Sequence, residues 1–338
     1  MNNIKNTNKS LLEKFLKIEK EFDLLNKEIN GIPFWELVRY PLYQRIINQN
    51  DSNNDSNHKG IKYWLRRVAY LIISLTYRNP FLAKRNVLLF FGHPRKKFEN
   101  GIYIDPYIDP FLYFLPNKYS YSVIEKPFKS GIHYHPTNTQ KFYLDAFYEI
   151  TALWAKIYSP TIPKKYDNLF AEMEKIFHKD FGLKLNITKK IKKAIAKWKI
   201  QYFLYRRLFS TLNPKVVFLV VSAGNEPMIA AARSLQIPTV ELQHGSPAPG
   251  KLNYDYPIDN PKRTFPDYFL SFGELYSQNI PLPKKNIIPI GYPYLSLKIY
   301  QNCNINKKDQ LIVISQPGNV GTMLAKFSEA LAEKLEGK

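Results

Sequence analysis

Cysteine is almost absent from this chain of 338 residues, because Cys303 is its only one and no intrachain disulfide can form. The six histidines show no HxxxH spacing, and a lone cysteine excludes a CxxC pair, so we expect no metal site. The first ten residues, MNNIKNTNKS, lack the apolar core and small-residue cleavage site of a secretory signal peptide. These absences predict a cytoplasmic protein in a reducing compartment.

Long apolar runs are missing too. The longest, Val68 to Tyr77, is about half of the roughly 20 residues that a membrane-spanning helix needs, and it predicts a helix that is interfacial or, as we favour, buried. Acidic residues are scarce, since 28 Asp and Glu stand against 49 Lys and Arg and give a net charge of +21. This charge attracts phosphates, nucleic acid or an anionic lipid surface, but it indicates no reaction.

The composition is that of a folded protein, because 45% of all residues are hydrophobic and the chain has 24 Tyr and 22 Phe. The length predicts about two domains.

Residues 1–47 predict a helical appendage, because apolar residues recur there at alternating spacings of four and three. They are Leu11, Phe15, Ile18, Phe22, Leu25 and Ile29. Residues 48–60, rich in Asn, Asp and Ser, predict a linker.

Between residues 61 and 300, short runs rich in Val, Ile, Leu and Phe alternate with helical stretches. The clear strands are Val87 to Phe91, Tyr121 to Glu125, Val216 to Val221, Thr239 to Leu242, Tyr268 to Ser271 and Ile287 to Ile290. Apolar strands separated by helices predict an α/β, Rossmann-like domain with a parallel sheet covered on both faces. Ligands of such sheets bind beyond the carboxyl ends of the strands.

Polar and glycine residues follow these strands and are the candidate substrate-binding residues. They are His93, Arg95, Asn225, Gln243, Gly245, Ser246, Gly273 and Gly291. His244 is the most informative residue, because an imidazole at a strand tip beside a glycine is suited to act as a general base near neutral pH. The alternative is a hydrogen-bonded histidine that only holds the loop from Ser246 to Pro261.

The pattern around these strands resembles the end of the first domain in GT-B glycosyltransferases of bacterial surface-polysaccharide (capsule and O-antigen) clusters, over about a third of the chain. The matching stretches are Pro214-Lys215-Val216-Val217 through Gly224-Asn225-Glu226, Ala230-Ala231-Ala232-Arg233, Gln236 through Gly245, Phe265-Pro266-Asp267-Tyr268, Phe272-Gly273 and Ile290-Gly291-Tyr292-Pro293. The His-Gly element also looks like that of teichoic-acid glycerophosphotransferases. Sugar-nucleotide epimerases share the layout, but His244 here lacks the acidic residue that follows their histidine.

The resemblance implies a transferase with no cofactor other than its co-substrate, a nucleotide sugar, and with a polysaccharide or lipid-linked acceptor. His244 is then expected to take the proton from an acceptor hydroxyl, while Arg95, Lys96 and Lys97 are expected to hold acceptor phosphate or membrane headgroups. Glu226 is the second candidate base. Its alternative role is a carboxylate that complements the dipole of the helix that Pro227 begins.

A second Rossmann-like domain is expected over residues 308–338, but only as a first βα unit, so that the chain resembles a truncated GT-B protein. Gln310 to Ser315 predicts its strand, and the turn that follows opens a helix from Thr322. Gly318, Asn319 and Gly321 in this turn are weak candidates for binding donor phosphate, because backbone N–H groups at a helix start attract anions.

A basic segment, Lys184 to Arg207, has nine Lys or Arg and no acidic residue. It predicts either a helix attracted to anionic lipid at the inner face of the cell membrane, or a surface helix with an apolar stripe packed on the sheet.

The function that the resemblance implies is a glycosyltransferase. The alternatives are a non-catalytic basic α/β module that binds anionic lipid or nucleic acid, or a glycerophosphotransferase-like polymerase. Nucleic acid is disfavoured because no recognition motif accompanies the charge.

Overall fold

The computed structural model describes residues 2–48, 60–127, 133–247, 250–257, 259–277, 280–302, 311–315 and 319–335. The chain divides into two compact units, Met1–Leu297 and Lys298–Lys338. The strands of the described residues all lie in the first unit. In chain order they are β1 (Leu88–Gly92), β2 (Lys97–Glu99), β3 (Ile102–Ile104), β4 (Tyr121–Glu125), β5 (Lys141–Tyr143), β6 (Val216–Leu219), β7 (Thr239–Leu242), β8 (Tyr268–Ser271) and β9 (Ile287–Pro289).

Seven of these strands form one parallel sheet in the order β5-β4-β1-β6-β7-β8-β9, while β2 and β3 pair as a separate antiparallel hairpin. The predicted α/β fold with a parallel sheet is confirmed, and all six predicted strands lie in the sheet. The sequence pattern does not reveal β5. This short strand begins with Lys141, whose ammonium is buried 3.2 Å from the Glu125 carboxylate.

The described residues also form helices. They are α1 (Asn2–Glu21), α2 (Phe34–Ile47), α3 (Ile61–Leu75), α4 (Asp109–Tyr113), α5 (Asp145–Ile157), α6 (Asp167–Phe181), α7 (Ile187–Leu212), α8 (Glu226–Ser234), α9 (Pro293–Gln301) and α10 (Asn319–Leu335). Successive side chains of a strand point to opposite faces. Phe91 of β1 therefore packs with Phe209 of α7, while Phe90 packs on the other face with Leu112 of α4. Both faces of the sheet are covered, as the apolar strands predict.

Helices α1 and α2 share a second core with α6 and α7. The predicted apolar seam of α1 is buried in it: Phe15 and Ile18 are 0% and 3% exposed, and the Phe15 ring packs edge-on to Phe177 of α6. Residues 10–47 thus bury their apolar side against the rest of the first unit.

A buried ion pair links these two helices to the loop that follows β7. The Arg39 guanidinium donates to both carboxylate oxygens of Glu19, at 2.5 and 2.8 Å, and Trp35 Nε1 donates to the same carboxylate. Arg39 Nη1 also donates to the backbone carbonyls of Leu252 and Asp255, both at 2.8 Å. The loop after β7 is therefore held against α2.

Helix α3 contains most of the longest apolar stretch, and the favoured prediction that this stretch is buried is wrong. Val68, Ile72 and Leu75 are 52%, 56% and 56% exposed. The buried residue of α3 is Ser74, whose hydroxyl accepts the backbone N–H of Ala146 at 3.0 Å. Among the residues described, no helix combines the length and apolarity that crossing a membrane requires.

In the second unit, helix α10 begins at Asn319 and contains Gly321. Residues 311–315 form no strand, so the strand predicted over Gln310 to Ser315 is wrong for these five residues, and Gln310 lies outside the described residues. Gly318 also lies outside the described residues.

The order of the main sheet reverses between β1 and β6. From β1 the chain adds β4 and β5 on one side, and then adds β6 to β9 on the other side. In open α/β sheets, the segments that leave two such strands diverge, and ligands bind in the crevice between them at the carboxyl edge. We call this place the switch-point crevice, with walls formed by the residues that follow β1, β6 and β7.

Candidate functional site

His244 follows β7 at the switch-point crevice and is half-buried. Its backbone carbonyl accepts a hydrogen bond from the Tyr107 hydroxyl at 3.2 Å, and its Nδ1 lies 3.4 Å from the Tyr254 hydroxyl. Burial, and then the positive charge of Arg95, lower the pKa of His244, while the Val220 carbonyl opposes the shift. The imidazole is therefore neutral at pH 7 and retains a lone pair that can accept a proton.

Behind His244 lies a fully buried carboxylate. Glu241, in β7, is 0% exposed, and its Oε1 accepts a 2.5 Å hydrogen bond from the Tyr254 hydroxyl. Burial raises the pKa of Glu241 to about 7, although the Tyr254 hydrogen bond opposes this. Tyr254 thus connects a carboxyl group that titrates near neutrality with the ring of His244.

A second imidazole faces His244 across the crevice. The ring centroids of His93 and His244 are 5.9 Å apart, with 30° between the ring planes. His93 is buried; its backbone N–H donates to Asp105 at 2.8 Å, and its Nδ1 accepts the backbone N–H of Arg95 at 3.2 Å. Burial lowers the pKa of His93 to about 4. The ring is thus neutral at pH 7, with its proton on Nε2.

Gln243 precedes His244 and uses both polar groups of its side chain within the protein. Its Oε1 accepts the backbone N–H of Phe272 at 2.6 Å, and its Nε2 donates to the carbonyl of Gly245 at 2.8 Å. Because Gln243 is buried, these contacts fix the turn after β7 against the end of β8. Gly245 and Ser246 are exposed at the crevice.

Asn225 and Glu226, which follow β6, are both buried. Asn225 Nδ2 donates to the Val221 carbonyl at 2.5 Å, and Lys126 Nζ donates to Asn225 Oδ1. Glu226 is the first residue of α8, and its Oε1 lies 3.2 Å from Lys262 Nζ. The carboxylate of Glu226 thus stands at a helix start and is already neutralised by an ammonium group.

A cavity of about 780 Å³ opens beside His244, between α2, α7 and the segments that follow β6 and β7. We call it the α7 cavity. Lys190, Lys193, Lys197 and Gln201 line it at helical spacing, on one face of α7. None of the three lysines has an ion-pair partner among the described residues. Burial, and then neighbouring positive charges, lower the pKa of Lys190 and Lys197.

Two further features of the α7 cavity bear on its ligand. Trp198 lines it, and its indole Nε1 is buried with no hydrogen-bond partner among the described residues. The carboxylates that line it are already satisfied: Glu36 accepts the backbone N–H of Arg263 at 2.6 Å, and Glu226 pairs with Lys262. The free donors on the wall formed by α7 are thus cationic or N–H groups, which suit an anion.

The structure separates the three basic residues that were expected to hold phosphate. Arg95 is exposed at the crevice. Lys96 is not available, because its ammonium is buried 2.9 Å from both Asp105 and Glu125. Lys97 lies with its ammonium 4.0 Å from the centroid of the Tyr294 ring. Of the three, only Arg95 remains a candidate.

Gly273 and Gly291 follow β8 and β9, farther along the sheet. The carbonyl of Gly273 accepts hydrogen bonds from the hydroxyl of Ser271 at 3.2 Å and of Ser277 at 3.1 Å. Gly291 has a φ of +77°, a conformation that favours glycine, at the turn that leads to Tyr292. The Tyr292 ring centroid lies 6.4 Å from that of Tyr107. These glycines shape turns beside the crevice.

Sequence reasoning missed Tyr254, Glu241 and the lysine wall of the α7 cavity. For the lysines a signal existed, because residues 190, 193, 197 and 201 recur at helical spacing. Tyr254 lies in an irregular loop, where no period reveals which residue points inward. Glu241 lies inside an apolar strand, and a carboxylate there is itself a sign of a functional or paired group.

No protein-family model matches this chain, and a search of curated proteins finds no match. Within the described ranges, no cluster of three or more His, Cys, Asp or Glu residues is arranged to hold a metal ion. The candidate site therefore rests on its own geometry.

Proposed function

We propose that the chain is a glycosyltransferase that moves a sugar from a nucleotide-sugar donor to a hydroxyl group of a lipid-linked or surface-polysaccharide acceptor, with His244 as general base. The observation that carries this proposal is the position of a neutral His244 imidazole at the switch-point crevice, on the wall of a cavity that three unpaired lysines also line. A proton acceptor and a cationic wall in one cavity suit an acceptor with a hydroxyl and a phosphate.

The reaction follows from this geometry. In the tautomer that keeps the ring proton on Nδ1, which lies 3.4 Å from the Tyr254 oxygen, Nε2 of His244 carries the lone pair. Nε2 takes the proton of the acceptor hydroxyl while the acceptor oxygen bonds to the anomeric carbon of the sugar. The bond from that carbon to the diphosphate oxygen of the donor breaks, and its electron pair leaves with the nucleotide. Neutral His93 supplies an Nε2–H donor beside the reacting groups.

The lysine wall supports an acceptor that carries phosphate. A diphosphate between an acceptor sugar and its carrier lipid carries the negative charge that a wall of Lys190, Lys193 and Lys197 attracts, and the Trp198 N–H, which has no partner among the described residues, adds a donor. In the GT-B layout that the sequence resembles, the donor nucleotide belongs to the second domain. Gly318, Asn319 and Gly321 are the candidate phosphate contacts there.

The test is a donor screen with the chain as it is. Purified protein is incubated with a panel of nucleotide sugars and CDP-glycerol, together with a lipid-linked diphosphate sugar acceptor, and products are detected by mass spectrometry. We expect at most weak incorporation of a sugar, and a further loss of about 10²- to 10⁴-fold in rate for His244→Ala, which is the usual contribution of a general base. His178→Ala is the matched control, because His178 is exposed on α6.

The other outcomes decide against the proposal. Transfer of glycerol phosphate, with no sugar incorporated, would identify a glycerophosphotransferase instead. No product from any donor would contradict the transferase itself. Equal rates for His244→Ala and the wild type would remove the general base from the proposal. Lys193→Gln and Lys197→Gln should raise KM for a diphosphate acceptor and leave kcat nearly unchanged, because binding charge is lost without loss of the base.

A further inference from the structure

Helix α3 carries its apolar residues on the outside. Ile61, Trp64, Leu65, Val68, Ile72 and Leu75 recur at spacings of three and four, the period of one helical face, and all six are between 51% and 76% exposed. The opposite side of the helix holds the buried Ser74 and the half-buried Tyr70, whose hydroxyl donates to the His133 carbonyl at 3.2 Å. A helix that packs by its polar side and exposes its apolar side is the reverse of an ordinary surface helix.

Helix α5 extends this apolar surface. Ile150, Leu153, Trp154 and Ile157 again follow helical spacing and are 45%, 60%, 40% and 73% exposed. The two helices lie in contact, and a groove of about 420 Å³ between them is lined by side chains of both. The exposed residues of α3 and α5 thus form one surface, which we call the α3–α5 face. Scattered single apolar residues need no explanation, but ten on two adjoining helices do.

The charges around the α3–α5 face are positive. Lys62, Arg66 and Lys156 are exposed on the same two helices. Residues 61–78 contain no Asp or Glu. On α5, Asp145 is buried, and Glu149 is bound to the Arg67 guanidinium at 2.5 and 2.6 Å. The face therefore presents apolar side chains with a basic border and no free carboxylate.

We propose that the α3–α5 face docks this protein on an anionic lipid bilayer, with α3 lying in the plane of the interface. Aromatic and aliphatic side chains on one face with Lys and Arg at its border are what an interfacial helix requires, since the apolar groups enter the acyl boundary and the cations meet lipid phosphates. Trp64 and Trp154 are amphipathic rings suited to headgroup depth. The α3–α5 face shares no residue with the α7 cavity, so this inference holds whatever His244 does.

Vesicle flotation tests the proposal with the whole chain. Vesicles of phosphatidylcholine alone are compared with vesicles in which a third of the lipid is phosphatidylglycerol. We expect binding to the anionic vesicles, and a partition coefficient lowered at least about tenfold in the variant Trp64→Ser, Leu65→Ser, Val68→Ser, because three apolar groups no longer leave water. The matched control is Phe98→Ser, Phe203→Ser, which removes two rings of 62% and 58% exposure outside the face and should bind as the wild type does.

Three further measurements make the result specific. Lipids with brominated acyl chains should quench the fluorescence of the wild type but much less that of Trp64→Phe, Trp154→Phe, which keeps the buried Trp35 and the cavity residue Trp198. Circular dichroism confirms that each variant is folded. Absence of vesicle binding by the wild type, or equal binding by the triple variant, would overturn the proposal. So would a dimer in sedimentation analysis that the triple variant converts to monomer, because the face would then join two copies of the chain.

Discussion

The hydroxyl of Tyr254 donates a 2.5 Å hydrogen bond to the carboxylate of Glu241, which is fully buried beneath the candidate site. The same hydroxyl lies 3.4 Å from Nδ1 of His244. A buried carboxylate is costly unless it is hydrogen-bonded, so its retention beside the proposed base needs a reason. The arrangement gives one: Glu241 fixes the Tyr254 hydroxyl, and Tyr254 in turn orients the imidazole.

Replacing Tyr254 tests this arrangement through stability. Tyr254→Phe leaves the Glu241 carboxylate buried without the hydrogen bond from Tyr254, and we expect it to lower the free energy of unfolding by about 1–3 kcal/mol. Urea denaturation at pH 8, where Glu241 is mostly ionised, measures the effect. In a Glu241→Gln background the same substitution should cost less, because no buried charge is left. An equal cost in both backgrounds would show that the Tyr254 hydroxyl does not serve the carboxylate.

Glu241 also predicts a pH dependence. Its pKa is about 7 in the folded protein and near 4.5 in the unfolded chain, so the folded state binds more protons between these values. The stabilising contribution is complete below pH 4.5 and is lost as pH rises through 7, by up to about 3 kcal/mol. Glu241→Gln should remove this dependence, and the difference in unfolding free energy between wild type and variant, measured from pH 4.5 to 8, checks it. A constant difference would contradict the prediction.

His93 predicts the opposite slope. Its pKa is about 4 in the folded protein against 6.5 in the unfolded chain, so the unfolded state binds more protons in this interval. The contribution of the neutral His93 ring to the free energy of unfolding is fully present above pH 6.5. It is lost as pH falls through 4, by up to about 3 kcal/mol. The charged or titratable groups that influence this ring are Asp105, His244, Arg95 and Lys96. The wild type should lose stability relative to His93→Gln on acidification, and parallel curves would contradict this.

Much of the sheet could be predicted from the sequence because its central strands are apolar on both faces, which only a buried parallel strand explains. Val216 to Val221 is such a run, and β6 begins at its first residue. The sequence pattern did not reveal strand β5, because its Lys141 is neutralised by Glu125, which is distant in the chain. The exposure of α3 could not be predicted for a related reason. The period of an amphipathic helix shows that one face is apolar, but not whether that face points to the core or to the surface.

The candidate site was partly predictable for a topological reason. His93 and His244 lie 151 positions apart, and the rule that ligands bind at the carboxyl ends of parallel strands brings both to the crevice. No such rule shows that Gln243 turns inward or that Lys96 is buried between two acids, because these depend on side-chain packing. The lysines of α7 were predicted as a membrane or solvent face, and three of them line a cavity instead.

The ion pair between Arg39 and Glu19 gives the last prediction, which concerns how residues 1–47 support the site. Arg39 ties α1 and α2 to the Leu252 and Asp255 carbonyls, and Leu252 lines the α7 cavity. Arg39→Ala leaves Glu19 buried and without its cation, so we expect a loss of about 3–5 kcal/mol in unfolding free energy by urea denaturation.

The matched control is the pair Glu19→Gln, Arg39→Met, which removes both charges and keeps similar volume. It should cost less than Arg39→Ala alone, because breaking a buried ion pair is penalised mainly by the charge that remains. If the double variant is the less stable of the two, the attraction itself stabilises α1 and α2 against the loop. If Arg39→Ala changes stability by less than about 1 kcal/mol, the pair does not hold this wall of the cavity in place.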